Sequence, residues 1–267
     1  MEYYVRYGME FNPFLKNSKE ILLNTADYKE TQVRLNYLLE TKGFGVLTGG
    51  AGKGKTTAIR TWAKSLNPSL YKVIYSSLST LTVMEFYRKL ASDLGLEPRH
   101  RKPDNFRMIQ EEICRYTIEK RITPVIIIDE ANHIGTGILN DLKILFNFDM
   151  DSRDRAVVLL AGLPSLNRTL MLSAHEPLRQ RVTMNYHMEG LTKEESKQYI
   201  LAKMSGAQCT RQVFNENALE ALANASNGVP RILNKLCNSC LMIGSMQGAD
   251  LIDEEIVMRA VEDCKLG

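Results

Sequence analysis

The chain has 267 residues, 44% hydrophobic and 24% charged, ordinary values for a soluble globular protein with room for one large α/β domain and a small helical one. No run approaches the ~18 apolar residues of a membrane span, no signal-peptide pattern opens the chain, and five irregularly spaced cysteines point to reduced thiols, so the expected location is cytoplasmic with no membrane partner. A net charge of only +3 leaves any nucleic-acid contact to local patches rather than the global balance.

Residues 2–18 are irregular and aromatic-rich, with Tyr3, Tyr4, Tyr7, Phe11 and Phe14 around Asn12-Pro13. A first helix is expected over Tyr28–Thr41, and the apolar run Phe44–Thr48 reads as a strand. Next comes Gly49-Gly50-Ala51-Gly52-Lys53-Gly54-Lys55-Thr56, which fits G-x-x-x-x-G-K-S/T. Behind it Ile59, Trp62, Ala63 and Leu66 recur at i, i+3, i+4 and i+7, one face of a helix. Strand, glycine loop and helix come in the order a phosphate cradle requires. Glycines let consecutive N–H groups curl around an anion, and the helix N-terminus adds its positive dipole end. Lys55 is placed to reach β- and γ-phosphates and Thr56 to ligate Mg²⁺. Thr57, the next residue, joins the expected nucleotide contacts.

Leu70–Tyr75 reads as the next strand. Thr82-x-x-Glu85 is a capping box for a helix ending at Gly95, with Val83, Phe86, Tyr87, Leu90, Ala91 and Leu94 on its apolar face. Asp104 is expected to cap a further helix that carries Phe106, Ile109, Ile113 and Tyr116 on one side. The tip between these helices, Arg99-His100-Arg101-Lys102, has two open readings. Arg99, Arg101 and Lys102 either meet a phosphate backbone or belong to a solvated connector. Lys72, Lys89 and Lys143 are further basic candidates. With no helix-turn-helix, zinc-finger or RNP motif, base-specific readout is not expected.

Val125-Ile126-Ile127-Ile128 reads as a strand buried on both faces, as in a helix-covered parallel sheet. It ends in Asp129-Glu130, where ligands collect in open α/β sheets. Asp129 is placed to hold Mg²⁺ through water, and Glu130 to orient and deprotonate a water attacking a γ-phosphate. A helix over Ile138–Phe148, a strand over Ala156–Gly162 and an alternating strand through Val182, Met184, Tyr186 and Met188 follow. The fold class is therefore α/β, a three-layer αβα parallel sheet. His133 and His175 have no partners at metal-ligand spacing and are read as structural. From about Gly190 the strand signals stop. Thr192-x-x-Glu195 opens one helix, Asn215 caps a second, Val229–Met246 forms a third and Asp253 caps a fourth. Cys237-x-x-Cys240 lies inside the third with no second pair for zinc, so both are read as packing residues. The expected domains are 1–27, packing on the nucleotide site, a core over 28–189 and a helical lid over 190–267.

Three further segments carry a resemblance. Gly228-Val229-Pro230-Arg231 resembles the sensor-2 G-x-P-R of AAA+ ATPases, and Glu176-Pro177-Leu178-Arg179-Gln180-Arg181-Val182 resembles the segment bearing their arginine finger. Tyr7-Gly8-Met9-Glu10-Phe11-Asn12-Pro13-Phe14 is similar to the opening of the ExeA-like branch. That branch includes secretion ATPases of the ExeA type and transposon-encoded target-selection ATPases of the TnsC and MuB type. The resemblance extends through Leu142–Asn147 and Leu159–Pro164 and covers almost the whole chain. It implies an AAA+ fold with a helical lid, ATP and Mg²⁺ as cofactors, ATP hydrolysis, and a homo-oligomer built as a ring, spiral or filament. Arg231 would report the γ-phosphate to the lid. Arg181, favoured over Arg179, would reach a neighbour's γ-phosphate. Phe11, Asn12, Pro13 and Phe14 would either fold over adenine or plug the sheet edge.

Two positions depart from the branch. Leu163 follows Gly162 where a polar sensor-1 residue is often found, which leaves Asn147 as either a substitute or a helix cap. Lys53 in the loop either adds charge near the phosphates or points to solvent. Two functions compete: a regulator of transposition that polymerises on double-stranded DNA regardless of sequence and recruits a transposase, and a secretion or assembly ATPase of the ExeA type. The latter usually adds a membrane span after the core. The sequence reaches Gly267 without one, which directs the expectation to transposition. A stand-alone signalling ATPase of the same fold is the third reading.

Overall fold

The computed structural model describes residues 3–77 and 80–265, which fall into two compact units. The sheet unit comprises Glu30–Gly50 and Lys55–Met188. Its five strands are β1 (Gly43–Gly49), β2 (Tyr71–Ser76), β3 (Thr123–Ile128), β4 (Val157–Gly162) and β5 (Val182–Met188). All pair in parallel, in the order β2-β3-β4-β1-β5. The expected αβα architecture and every expected strand are present. The three central strands are apolar along almost their whole length because helices cover both faces. The edge strand β2 keeps only Ile74 fully buried.

The helices before and between these strands are α1 (Ala26–Thr41), α2 (Lys55–Ser65), α3 (Val83–Asp93), α4 (Lys102–Cys114), α5 (Thr136–Leu145), α6 (Ser165–Leu170) and α7 (Glu176–Arg179). On one face Phe44, Val46, Ile126, Ile128, Val158 and Leu160 meet Tyr87, Leu90, Ile109, Ile113, Leu139 and Leu142. On α1, Leu38 approaches β1 so closely that a Cβ on Gly45 would lie 2.3 Å from its Cδ2. Glycine is required there by contact rather than by conformation.

Several boundaries differ from expectation, two of them for a plain local reason. The first helix starts at Ala26 because the Thr25 hydroxyl accepts from the Tyr28 N–H at 3.2 Å. Asp104 does not cap α4. Arg101 holds that position, Pro103 occupies the first turn, and Asp104 lies inside the turn where its charge complements the dipole. Beyond α4 a π-helical turn, Arg115–Glu119, carries the chain towards β3. The fifth helix stops at Leu145 rather than Phe148.

The helical unit comprises residues 3–29, Ala51–Gly54 and residues 189–265. Its helices are α8 (Lys193–Gly206), α9 (Glu216–Ser226), α10 (Pro230–Met246) and α11 (Glu254–Cys264). The three side-chain caps form as expected: the reciprocal Thr192–Glu195 box, Asn215 accepting from Ala218 N at 2.7 Å, and Asp253 accepting from Ile256 N at 3.0 Å. Cys237 and Cys240 lie in the core, and burial pushes both thiols up.

Tyr7, Met9 and Phe14 are members of the same core. Asn12 is buried too. Its amide donates to Tyr3 OH (3.0 Å) and Asn238 Oδ1 (2.8 Å), and its Oδ1 accepts from Phe14 N (2.9 Å). Lys203 Nζ donates to the Pro13 carbonyl at 2.7 Å. Asn12 and Phe14 are thus each buried in helical-unit contacts, because burying the Phe14 ring obliges the adjacent polar groups to pair internally.

Candidate nucleotide-binding site

The loop after β1 turns through two glycines in the left-handed region, Gly52 (φ +76°) and Gly54 (φ +98°), where an L side chain would be strained. In the sheet unit, Lys55 opens α2 and is buried. Its Nζ donates to the carbonyls of Gly49 (2.8 Å) and Gly50 (3.1 Å), which holds the ammonium at the loop. Thr56 and Thr57 follow in the first turn of α2, whose N–H groups and dipole favour an anion.

Asp129 follows β3, is only 3% exposed and is held by three donors. Oδ2 accepts from Thr56 Oγ1 and from Tyr75 OH, each at 2.9 Å, and Oδ1 accepts from Glu130 N at 2.9 Å. A hydroxyl and a carboxylate this close form a hard oxygen donor set, which fits Mg²⁺. Burial and the Asp129 hydrogen bond push the Tyr75 phenol up to about 12. Glu130 is exposed and adopts φ +52°, uncommon for a non-glycine residue, at the turn beyond the strand.

A second group of polar residues lies at the same strand ends. Thr48, fully buried, accepts from Asn167 Nδ2 (3.1 Å) and stands 3.0 Å from His187 Nδ1. Asn132 Oδ1 accepts from Leu163 N at 2.8 Å. Tyr75, Asn132, Asn167 and His187 were not singled out from sequence. Asn132, only three residues after Asp129, was the one nearest in sequence to a residue already marked out. Asn147 precedes β4, whereas Asp129 follows β3, so the parallel pairing of these two strands puts Asn147 towards their N-terminal ends and Asp129 at their C-terminal ends.

In the helical unit, Arg231 directly follows Pro230 at the start of α10, as expected. Its N–H points to Gly52 O at 3.4 Å, and a Cβ on Gly52 would lie 2.8 Å from its own Cβ. Lys53 lays its stem beside Gly190. Ala51 is exposed at the crest of the loop.

Arg179 and Arg181 lie just before β5. Arg179 Nη1 donates to the carbonyls of Leu170 (3.2 Å) and Met171 (3.1 Å), and Arg181 Nη1 to that of Lys143 (2.9 Å). Burial lowers the Arg181 guanidinium below its usual range.

In the basic tip, the Asn105 amide braces the loop by bonding Arg99 N and O and Arg101 O, leaving the side chains of Arg99 and Arg101 exposed. Lys102 is differently placed. It pairs with Asp141 at 2.7 Å and lies over the Tyr87 ring. Lys89 is paired with Asp93.

Residues 38–170 match the family AAA_22, an AAA domain. The chain is 27% identical over 262 residues to general secretion pathway protein A of Aeromonas hydrophila, covering 96% of this chain and 47% of that protein. It is 24% identical over 255 residues to ATP-dependent target DNA activator B of Escherichia phage D108, covering 91% of this chain and 73% of that protein. The chain thus spans about half the length of the secretion relative it matches. Its fold is similar to that of Cdc6p from Pyrobaculum aerophilum, with a TM-score of 0.69 at 14% identity over 96% of this chain and 71% of that one. Among the described residues no helix is long and apolar enough to cross a membrane. Strand order, phosphate loop, carboxylate pair and family match together establish that the chain has an AAA+ fold and carries an AAA domain over residues 38–170.

Proposed function

We propose that this protein is an ATPase that assembles on duplex DNA in its ATP-bound form and acts in transposition by recruiting a transposase. The observation that carries the catalytic part is the convergence of Thr56 and Tyr75 on Asp129 beside Lys55 and Glu130. Thr56 and Asp129 would hold Mg²⁺, which when bound neutralises phosphate charge. Lys55 binds the β- and γ-phosphates, and the N–H groups of the loop and of α2 cradle them. Glu130 orients the attacking water and takes its proton, since its carboxylate stands exposed at the turn beyond β3. Arg231, adjacent to the loop at Gly52, responds to the γ-phosphate. Arg181 or Arg179 acts on the neighbouring subunit's nucleotide, which makes assembly a condition of turnover.

The DNA part rests on the exposed Arg99 and Arg101 and on similarity to a protein named as a target DNA activator, 73% of whose length the chain spans. The secretion reading has its own support in 27% identity over nearly the whole chain. Two measurements test these readings, the first the nucleotide site and the second the choice between them. Calorimetric titration of Lys55→Ala with ATP should show affinity collapse, and unchanged affinity would end the ATP-binding reading. Wild-type protein with ATP should then retain duplex DNA of arbitrary sequence in gel-shift assays. Failure to bind any DNA, with ATP binding intact, would favour the secretion reading.

A further inference from the structure

We propose that Tyr75 is a positioning residue of the metal site, fixing the Asp129 carboxylate so that Oδ2 faces Thr56. This rests on the nucleotide-site reading above and deepens it.

The argument begins with register. Tyr75 on β2 pairs with Ile127 on β3, and Asp129 N donates to Ser76 O at 2.9 Å, so the two strands stay in step through the carboxylate. Side chains alternate along a strand, so Ile127 and Asp129 leave the same face. Tyr75 is therefore one step diagonal to Asp129, within the reach of an aromatic side chain and beyond that of a valine or serine. Its hydroxyl closes that gap at 2.9 Å.

The donor count gives the bond its purpose. Oδ2 receives Thr56 and Tyr75, and Oδ1 receives Glu130 N. Thr56 is itself a candidate metal ligand, so the two bonds that orient the carboxylate independently of a ligand are those from Tyr75 and Glu130 N. The backbone bond comes from the adjacent residue and moves with the turn. The bond from Tyr75 is anchored on a different strand, and it sets the carboxylate plane against the rest of the sheet. Oriented oxygens bind a small divalent cation more tightly than free ones because Mg²⁺ and Mn²⁺ accept little distortion of their coordination. The ring contributes little to the core, because Tyr75 is 47% exposed. The hydroxyl, not the ring, is the functional part.

The test measures Mn²⁺ binding to the full chain with ADP by electron paramagnetic resonance, counting free metal directly. Tyr75→Phe keeps the ring and removes the donor. It should weaken Mn²⁺ binding by about ten- to a hundredfold, as expected for loss of one hydrogen bond to a charged group that orients a metal ligand. Tyr75→Leu should weaken it to the same extent. ADP affinity in EDTA should be unchanged in both, and circular dichroism melting should stay close to wild type. A wild-type Mn²⁺ affinity in Tyr75→Phe overturns the proposal, including the case in which Tyr75→Leu alone is impaired, because the ring would then be the active part. Thr56→Ala and Asp129→Asn serve as controls. If neither weakens Mn²⁺ binding, the metal-site reading beneath the proposal is what has failed.

Discussion

Glu130 and Asp129 are chemically similar neighbours that the fold puts in different surroundings. Asp129 is buried under three donors, which hold its orientation. Glu130 takes a left-handed turn, and its carboxylate is exposed, with no hydrogen-bond partner among the described residues. A carboxylate free of structural partners can accept a proton without unravelling its surroundings. Glu130→Gln should therefore retain ATP affinity within about twofold while losing turnover by at least about a hundredfold, measured by calorimetry and phosphate release. Wild-type turnover in that variant would remove Glu130 as the base. Both carboxylates were legible in sequence because they follow an apolar β-branched run, a local pattern. Tyr75 was not, because its meaning depends on the pairing of β2 with β3, strands separated by some fifty residues of helix and loop.

At the scale of elements, Glu195 ties two helices together. Its carboxylate accepts from Thr192 N at 3.0 Å in the α8 capping box and from Ala26 N at 2.8 Å at the start of α1. Burial raises its pKa, but the backbone N–H groups of Thr192 and Ala26 and the Thr192 hydroxyl outweigh it and hold the carboxyl below its ordinary 4.5. A carboxyl depressed by folding contributes stability that is fully present above its unfolded pKa and lost as pH falls through the folded one. Glu195→Ala should cost about 1–2 kcal/mol in urea unfolding at neutral pH. The difference from wild type should shrink as pH drops from 4.5 towards the lower folded value. A difference that stays constant across that window would show that the charge is not what matters. The capping box was readable as a four-residue motif, whereas the Ala26 contact joins positions 169 residues apart.

For the whole molecule, self-association and DNA binding are the properties at stake. On the proposed reading, Arg181 or Arg179 has its target in a neighbouring subunit. Light scattering with a non-hydrolysable ATP analogue should therefore show assembly, and a particle that stays monomeric in every nucleotide state would contradict it. Arg181→Ala should lower hydrolysis while sparing ATP affinity. If only Arg179→Ala does so, the finger is Arg179. For DNA, the structure narrows the basic tip. Arg99 and Arg101 are exposed, and replacing both with alanine should flatten the salt dependence of binding by up to about two units of log–log slope, roughly 0.9 per phosphate. Lys102→Ala should act differently. It strands the largely buried Asp141, so it should lower unfolding stability by about 1–2 kcal/mol with little change in the salt slope. An unaltered slope in the double variant would move the DNA surface away from this tip.

The sequence by itself determined whatever depends on near neighbours. The phosphate loop, the carboxylate pair, the five strands and the caps of α3, α8, α9 and α11 are set by residues within a few positions of one another. Their period or hydrogen-bond reach is local. Only the tertiary structure decided which polar groups meet across strands and which charges are free. It placed Tyr75 on Asp129, Asn167 and His187 around Thr48, Lys102 on Asp141, and Asn12 with Phe14 inside the helical core. Those pairings arise because a buried polar group must find a partner wherever packing brings one, and packing is a property of the folded chain as a whole.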